Sequence, residues 1–152
     1  MATITGEIHI ERPVDVVFDF VADERNEPKY NPRISRAEKL TDGPIGPGSR
    51  FLATVTSGGR PIDMQIEFTA YERPTRLVSH ASMASAEARG MLTFEPEPAG
   101  TRMCWTWEVE PKGPVRLLAP LVARVGAHQE QAIWTGLKRY LEAAGREEVP
   151  TH

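Results

Sequence analysis

The stretch PIDMQIEFTAY, residues 61–71, sets the fold class because apolar and polar side chains alternate along it. The apolar positions are Ile62, Met64, Ile66 and Phe68. A period of two residues is that of a β-strand with one face on a core and the other toward solvent. Residues 101–109 repeat the pattern, so the chain has at least two strands with well-defined inner faces.

Other strand-like runs surround this stretch and are separated by short turns rich in glycine and proline. They cover about residues 35–41, 49–57, 77–82 and 86–94, and a further strand with alternating isoleucines begins the chain near Ile4. Short turns join antiparallel strands, whereas parallel strands need a crossover of roughly a dozen residues or more. The sequence therefore predicts a curved antiparallel sheet of about seven strands.

Helical periodicity appears at two places outside this meander. After the first strand, Pro13 and the apolar spacing of residues 14–21 predict a short helix, and a second short helix or turn ends near Tyr30. From about residue 114 to 144 the spacing predicts a long helix that Pro120 starts or kinks and Gly145 ends. Its predicted inner stripe is Leu118, Val122, Val125, Gln129, Ile133, Gly136 and Tyr140.

Length and composition restrict the classes of protein that this chain can be. With 152 residues we expect one domain, residues 1–145, and a polar tail, residues 146–152. The net charge of −3, without a dense basic run, argues against a nucleic-acid partner. A lone cysteine, Cys104, and the lack of a leader-like or membrane-spanning apolar run favour a cytoplasmic protein without a membrane span.

The long helix must cover the apolar face of the sheet, because no other apolar stripe is long enough. Small residues such as Ala88 and Gly90 stand beside Trp105 and Trp107 on the predicted inner face. That mixture fits either an open space with aromatic walls or a solid, interdigitated core. Composition alone leaves both alternatives open.

The order of these elements resembles the START-like, or Bet v 1-like (SRPBCC), superfamily, and especially its polyketide cyclase/dehydrase and lipid-transport branch. The residues that carry the resemblance are 8–23, 30–32, 46–51, 71–77 and 136–142. Tyr30-Asn31-Pro32 stands where family members commonly show Trp-x-Pro. The resemblance implies an α+β helix-grip fold, in which the sheet wraps around the long C-terminal helix and encloses a hydrophobic cavity.

Inward-facing residues of such a fold are the predicted ligand-binding positions. They are Phe18, Tyr30, Phe51, Met64, Ile66, Phe68, Leu92, Phe94, Trp105, Trp107, Val125, Gln129 and Ile133. Gln129 is the best polar candidate, although a backbone carbonyl or a water molecule could equally satisfy it. His80 points either inward as a general base or outward as a surface residue. The histidines lack metal-ligand spacing, and we expect neither a metal nor a cofactor.

Three functions are compatible with these features. The first is binding or transport of a hydrophobic small molecule such as a lipid, an isoprenoid or a polyketide-like compound. The second is a cyclase or dehydratase in which His80 or Gln129 orients an enol or carbonyl. The third is a protein-interaction module, because Trp134 lies nearer the polar side of the helix and either packs beneath a short helix or forms a homodimer contact.

Overall fold

The computed structural model describes residues 2–57 and 59–148, and its elements follow the predicted order. The strands are β1 (Ala2–Ile10), β2 (Ile34–Lys39), β3 (Arg50–Ser57), β4 (Arg60–Glu72), β5 (Arg76–Met83), β6 (Ala86–Glu97) and β7 (Gly100–Pro111). The α-helices are α1 (Val14–Ala22) and α2 (Ala119–Glu148), and 3₁₀ helices cover Glu24–Lys29 and Gly113–Leu118. Pro120 lies in the first turn of α2, where proline is tolerated.

All seven strands form one antiparallel sheet in the order β1-β7-β6-β5-β4-β3-β2. Consecutive strands from β2 to β7 are hairpin neighbours, and β1 pairs with β7 at the far edge. Helix α2 packs against β1, where Gly126 lies over the Ile4 side chain. The predicted helix-grip fold, a seven-stranded sheet around a long C-terminal helix, is confirmed.

The predicted inner faces of the strands are also the buried ones. In β4, Ile66 and Phe68 are buried while Gln65 and Glu67 are exposed, because successive side chains of a strand point to opposite faces. In β7 the buried positions are Thr101, Met103, Trp105 and Pro111.

Two glycines make room for the tryptophan rings on this face. Gly90 pairs with Trp107 and Gly6 pairs with Trp105 across neighbouring strands. A Cβ atom at Gly90 would lie 2.0 Å from the Trp107 ring, and one at Gly6 would lie 2.3 Å from the Trp105 ring. Each ring therefore lies flat over a residue without a side chain.

The buried face of α2 differs from the predicted stripe. Val125 and Tyr140 are 46% and 39% exposed, whereas Trp134 is only 5% exposed and Leu137 and Leu141 are fully or nearly buried. The helix carries more apolar side chains than one face can bury, and the packed face is rotated by about one residue from the predicted one. Because Trp134 is buried against Tyr30 and Trp105, it packs inside the fold and is unavailable as a dimer contact.

The end of α2 also differs from the prediction. The helix continues through Gly145 to Glu148, so Gly145 does not end it. Gly145 instead lies against Arg12, where a Cβ atom would be 2.7 Å from the arginine Cδ. The Arg12 guanidinium donates a 2.7 Å hydrogen bond to the Leu141 carbonyl. Residues 149–152 of the predicted tail lie outside the described residues.

Side chains from α1, the sheet and α2 form one hydrophobic core. At the α1 end this core is solid: Phe18 has no exposed surface and its ring meets those of Tyr71 and Phe94 edge to face, with centroids 5.2 and 5.1 Å apart. Within residues 2–57 and 59–148, no helix has the length and apolarity that crossing a membrane requires. Open space remains between the inner face of the sheet and α2.

Candidate functional site

A cavity lies between the inner face of the sheet and α2. Its inner chamber has a volume of about 180 Å³ and is lined mainly by apolar side chains from β1, β4–β7 and α2. A more open vestibule of about 510 Å³ lies toward the start of α2. Ile4, Met64 and Ala88 line both spaces, so the vestibule gives access to the chamber. A continuous apolar space of this kind suits a hydrophobic molecule.

The structure places eight of the thirteen predicted ligand-binding residues along this space. Tyr30, Met64, Ile66, Leu92, Trp107 and Ile133 line the chamber, and Val125 and Gln129 line the vestibule. The other five, Phe18, Phe51, Phe68, Phe94 and Trp105, are packed in the core and do not line either space. They do face inward, but most belong to the solid end of the molecule. That the eight lining residues contact a ligand stays a prediction.

Three carboxyl groups that the sequence did not reveal border the chamber. Glu24 and Glu27 come from the 3₁₀ helix, and Glu130 comes from the middle of α2. Glu130 follows Gly126 by four residues and precedes Trp134 by four, which places it on the buried face of the helix. The stripe of α2 that holds Trp134, Leu137 and Leu141 also holds this glutamate.

The pKa of Glu130 is raised to about 7, mainly by burial and also by the nearby charge of Glu27. A hydrogen bond partly opposes this effect, because Trp134 Nε1 donates to Glu130 Oε2 at 2.8 Å. Trp107 Nε1 and the charge of Arg33 also lower the pKa, although the Trp107 N–H lies outside hydrogen-bonding geometry. Glu130 therefore changes protonation near neutral pH.

Burial likewise raises the pKa of Glu24 well above its usual range, and the nearby charge of Glu27 adds to this effect. The pKa of the Tyr30 hydroxyl is raised well above normal by burial and by Glu27, Glu24 and Glu130. Groups that influence one another in this way lie close together in a medium of low dielectric constant. Tyr30 and the three glutamates thus form one polar site, which we call the carboxyl cluster, at the wall of the apolar chamber.

Polar side chains at the vestibule hold this site in place. Arg33 Nη1 donates to Gln129 Oε1 at 2.6 Å, so the partner of Gln129 is a guanidinium group. Asn31 Nδ2 donates to Glu27 Oε1 at 3.1 Å. These contacts link the segment after the 3₁₀ helix to α2 across the vestibule.

The remaining candidates lie away from the cavity. His80 is on the outer face of the sheet, where its side chain is 41% exposed and Nε2 lies 3.1 Å from Glu87 Oε2. It cannot act as a general base on a molecule in the chamber, because the sheet separates the two. Cys104 also faces outward, with Sγ 3.8 Å from a Glu7 carboxylate oxygen. In the described part of the chain, no three His, Cys, Asp or Glu side chains are grouped to hold a metal ion.

Solved structures with the same fold cover nearly the whole chain. A START superfamily protein from Mycobacterium smegmatis has a TM-score of 0.83 and 16% identity, and the match covers 95% of this chain and 99% of that one. Ara h 8.0201 has a TM-score of 0.74 and 19% identity, with 93% and 97% covered. The di-domain ARO/CYC protein BexL has a TM-score of 0.76 and 20% identity, with 93% of this chain but 47% of that one covered.

At these identities the structures show the fold alone. No curated protein matches the sequence. The family model described as polyketide cyclase / dehydrase and lipid transport, in contrast, matches residues 1–142. The chain therefore belongs to the polyketide cyclase / dehydrase and lipid transport family.

Proposed function

We propose that the protein binds a hydrophobic small molecule in the chamber and vestibule. The observation that carries this proposal is the contrast between the two ends of the molecule. The α1 end is filled by interlocked aromatic rings, whereas small side chains, including Ala81 and Ala88, face the space beside Trp107. Protein interiors are otherwise close-packed, and a void without an occupant loses dispersion contacts. An apolar ligand would restore them.

Filling the cavity tests this function. Ala88→Leu is expected to abolish retention of any apolar compound that co-purifies with the protein, because Ala88 lines both chamber and vestibule. The protein should stay folded, since filling a cavity commonly leaves stability unchanged or raises it by about 0.5–2 kcal/mol. The measurement is native mass spectrometry followed by organic extraction of the bound material.

Ala99→Leu makes the same change at an exposed position of the β6–β7 turn, so it serves as the matched control and should retain the compound. If both variants and the unmodified protein carry nothing and bind no member of a panel of apolar compounds, the binding proposal fails.

Glu130 favours a second candidate function, a proton-transfer reaction on the bound molecule. A carboxyl group with a pKa of about 7 in an apolar chamber can both accept and return a proton at neutral pH. The reaction class that fits the family is enolisation as a step of cyclisation or dehydration. In that step the Glu130 carboxylate removes a proton from the carbon next to a carbonyl group, and the resulting carboxylic acid later returns it.

Deuterium exchange tests this second candidate without a known substrate. Octan-2-one in D₂O is expected to exchange its α protons faster with the protein than with buffer alone, and Glu130→Gln should remove the difference. Proton NMR measures the exchange. If the protein binds the ketone without accelerating exchange, the enzyme candidate is excluded while the binding function remains.

A further inference from the structure

We infer that the cavity selects an apolar molecule with a basic nitrogen, whose ammonium group lies among Glu24, Glu27 and Glu130. The inference rests on the proposed binding function and specifies the class of its ligand. It assigns the carboxyl cluster as the polar end of the site and the apolar walls of the chamber as the site for a hydrocarbon body.

The first observation is the imbalance of charge around the chamber. Three carboxyl groups face it, and among the described residues the only basic side chain that lines either space is Arg33. Arg33 is at the vestibule and is already hydrogen-bonded to Gln129. Burial and like charge raise the pKa of Glu24 and Glu130, so ionising these carboxyl groups in the chamber is unfavourable unless a cation compensates for them. A ligand ammonium group would supply that charge.

The second observation is a hydroxyl group that lines the chamber and has no hydrogen-bond partner among the described residues. Tyr30 is only 8% exposed and lines the chamber, and its hydroxyl group makes no hydrogen bond within the part of the chain that the structure describes. Tyr30 lines the chamber together with all three glutamates, and their charges raise the pKa of its hydroxyl group, so the hydroxyl lies beside these carboxyl groups. Buried hydroxyl groups are normally satisfied, and this one is placed to bond to an occupant of the site.

An ammonium group matches these acceptors in number and kind. It carries three N–H donors, and the carboxyl cluster offers carboxylate oxygens together with the Tyr30 hydroxyl oxygen. The rings of Tyr30 and Trp134 lie 6.0 Å apart at the chamber wall, and aromatic faces attract cations. The apolar walls of the chamber suit an organic cation with a hydrocarbon body better than a bare metal ion.

Other polar ends fit less well. The carboxylate of a fatty acid would add a fourth acidic group to the site, and like charges at short range repel. A neutral alcohol would donate one hydrogen bond and supply no positive charge to stabilise the ionised carboxyl groups. The order of affinity expected from the site is therefore amine, then alcohol, then carboxylate, for the same hydrocarbon chain.

Three probes with the same hydrocarbon chain test this order of affinity. They are octylamine, octan-1-ol and octanoate, each titrated calorimetrically into the protein at pH 7. We expect octylamine to bind about tenfold or more tightly than octan-1-ol, and octanoate to bind most weakly. Octylamine binding should also release protons, since an adjacent cation favours the ionised carboxyl groups. The heat of binding will then differ between phosphate and Tris buffers, whereas that of octan-1-ol will not.

Variants connect the preference to the carboxyl cluster. Glu27→Gln and Glu130→Gln should each weaken octylamine binding by about tenfold and change the affinity for octan-1-ol less than about twofold. Glu108→Gln, on the exposed outer face of the sheet, should change neither. Octan-1-ol binding also reports that each variant is folded.

The outcomes separate this inference from the function on which it rests. If octan-1-ol or octanoate binds as tightly as octylamine to the unmodified protein, the preference for amines is wrong while the binding function stands. If none of the three probes binds, the binding function itself is wrong and the inference falls with it. The comparison on the unmodified protein needs no variant, so a variant that fails to fold cannot obscure the result.

Discussion

Glu130→Gln is expected to raise the free energy of unfolding at pH 8 and to remove part of its dependence on pH. The pKa of Glu130 is about 7 in the folded chain against an ordinary value of 4.5, so the folded state holds the proton more tightly than the unfolded state does. The stability that comes from the protonated form is complete below about pH 4.5 and is lost as the pH rises through 7. The loss amounts to roughly 2–3 kcal/mol for this partly buried group. Glutamine has no charge to bury and can still accept the hydrogen bond from Trp134.

Urea denaturation at pH 5, 6, 7 and 8 measures this effect. The difference between the unmodified protein and the variant should grow across that range in favour of the variant, whereas Glu108→Gln, at an exposed position, should give a nearly constant difference. A difference for Glu130→Gln that does not change with pH would show that the carboxyl group titrates as an ordinary surface glutamate.

The largest loss of stability is expected from Phe18→Ala. Phe18 is fully buried between α1 and the sheet, and its ring meets those of Tyr71 and Phe94. Removing it leaves a void in a close-packed region, which typically lowers the free energy of unfolding by about 3–5 kcal/mol. Because Phe18 does not line the chamber or the vestibule, binding of an apolar compound by the protein that remains folded should be unchanged.

Phe20→Ala provides the comparison within the same helix. Phe20 is half-buried and stacks on Tyr140 with ring centroids 5.3 Å apart, so its removal exposes less apolar surface and creates no closed void. We expect less than half of the loss seen for Phe18→Ala, measured by urea denaturation at one pH. Equal losses for the two variants would mean that the α1 end is not the solid core described above.

The sheet was predictable because its strands obey a simple rule. Alternation in β4 and β7 assigned each side chain to one of two faces, and the buried positions match that assignment. The rule says nothing, however, about position along the sheet. Phe18 and Phe94 point inward just as Met64 and Leu92 do, yet only the second pair lines the cavity. Which end of the sheet is filled with side chains depends on where α1 packs against it. No local sequence pattern indicates that position.

The carboxyl cluster was not predictable for a different reason. Charged residues are rarely buried, so the sequence gives no reason to place Glu130 on the buried face of α2, where it lies. Glu24 and Glu27 lie in a short segment whose sequence indicates only a turn or a brief helix. A buried acid is recognisable only when tertiary packing brings its neighbours together, as Tyr30 and Trp134 are brought to Glu130 here.

The placement of the tryptophan rings, two of them over glycines of neighbouring strands, has a consequence for the fluorescence of the protein. The chain has three tryptophans: Trp107 and Trp134 line the chamber, and Trp105 lies behind them with its ring centroid 6.0 Å from that of Trp134. Ultraviolet emission from this protein therefore originates almost wholly beside the cavity. A molecule that enters the chamber displaces water or contacts an indole ring. The emission maximum and intensity therefore report whether the chamber is occupied, without an added label.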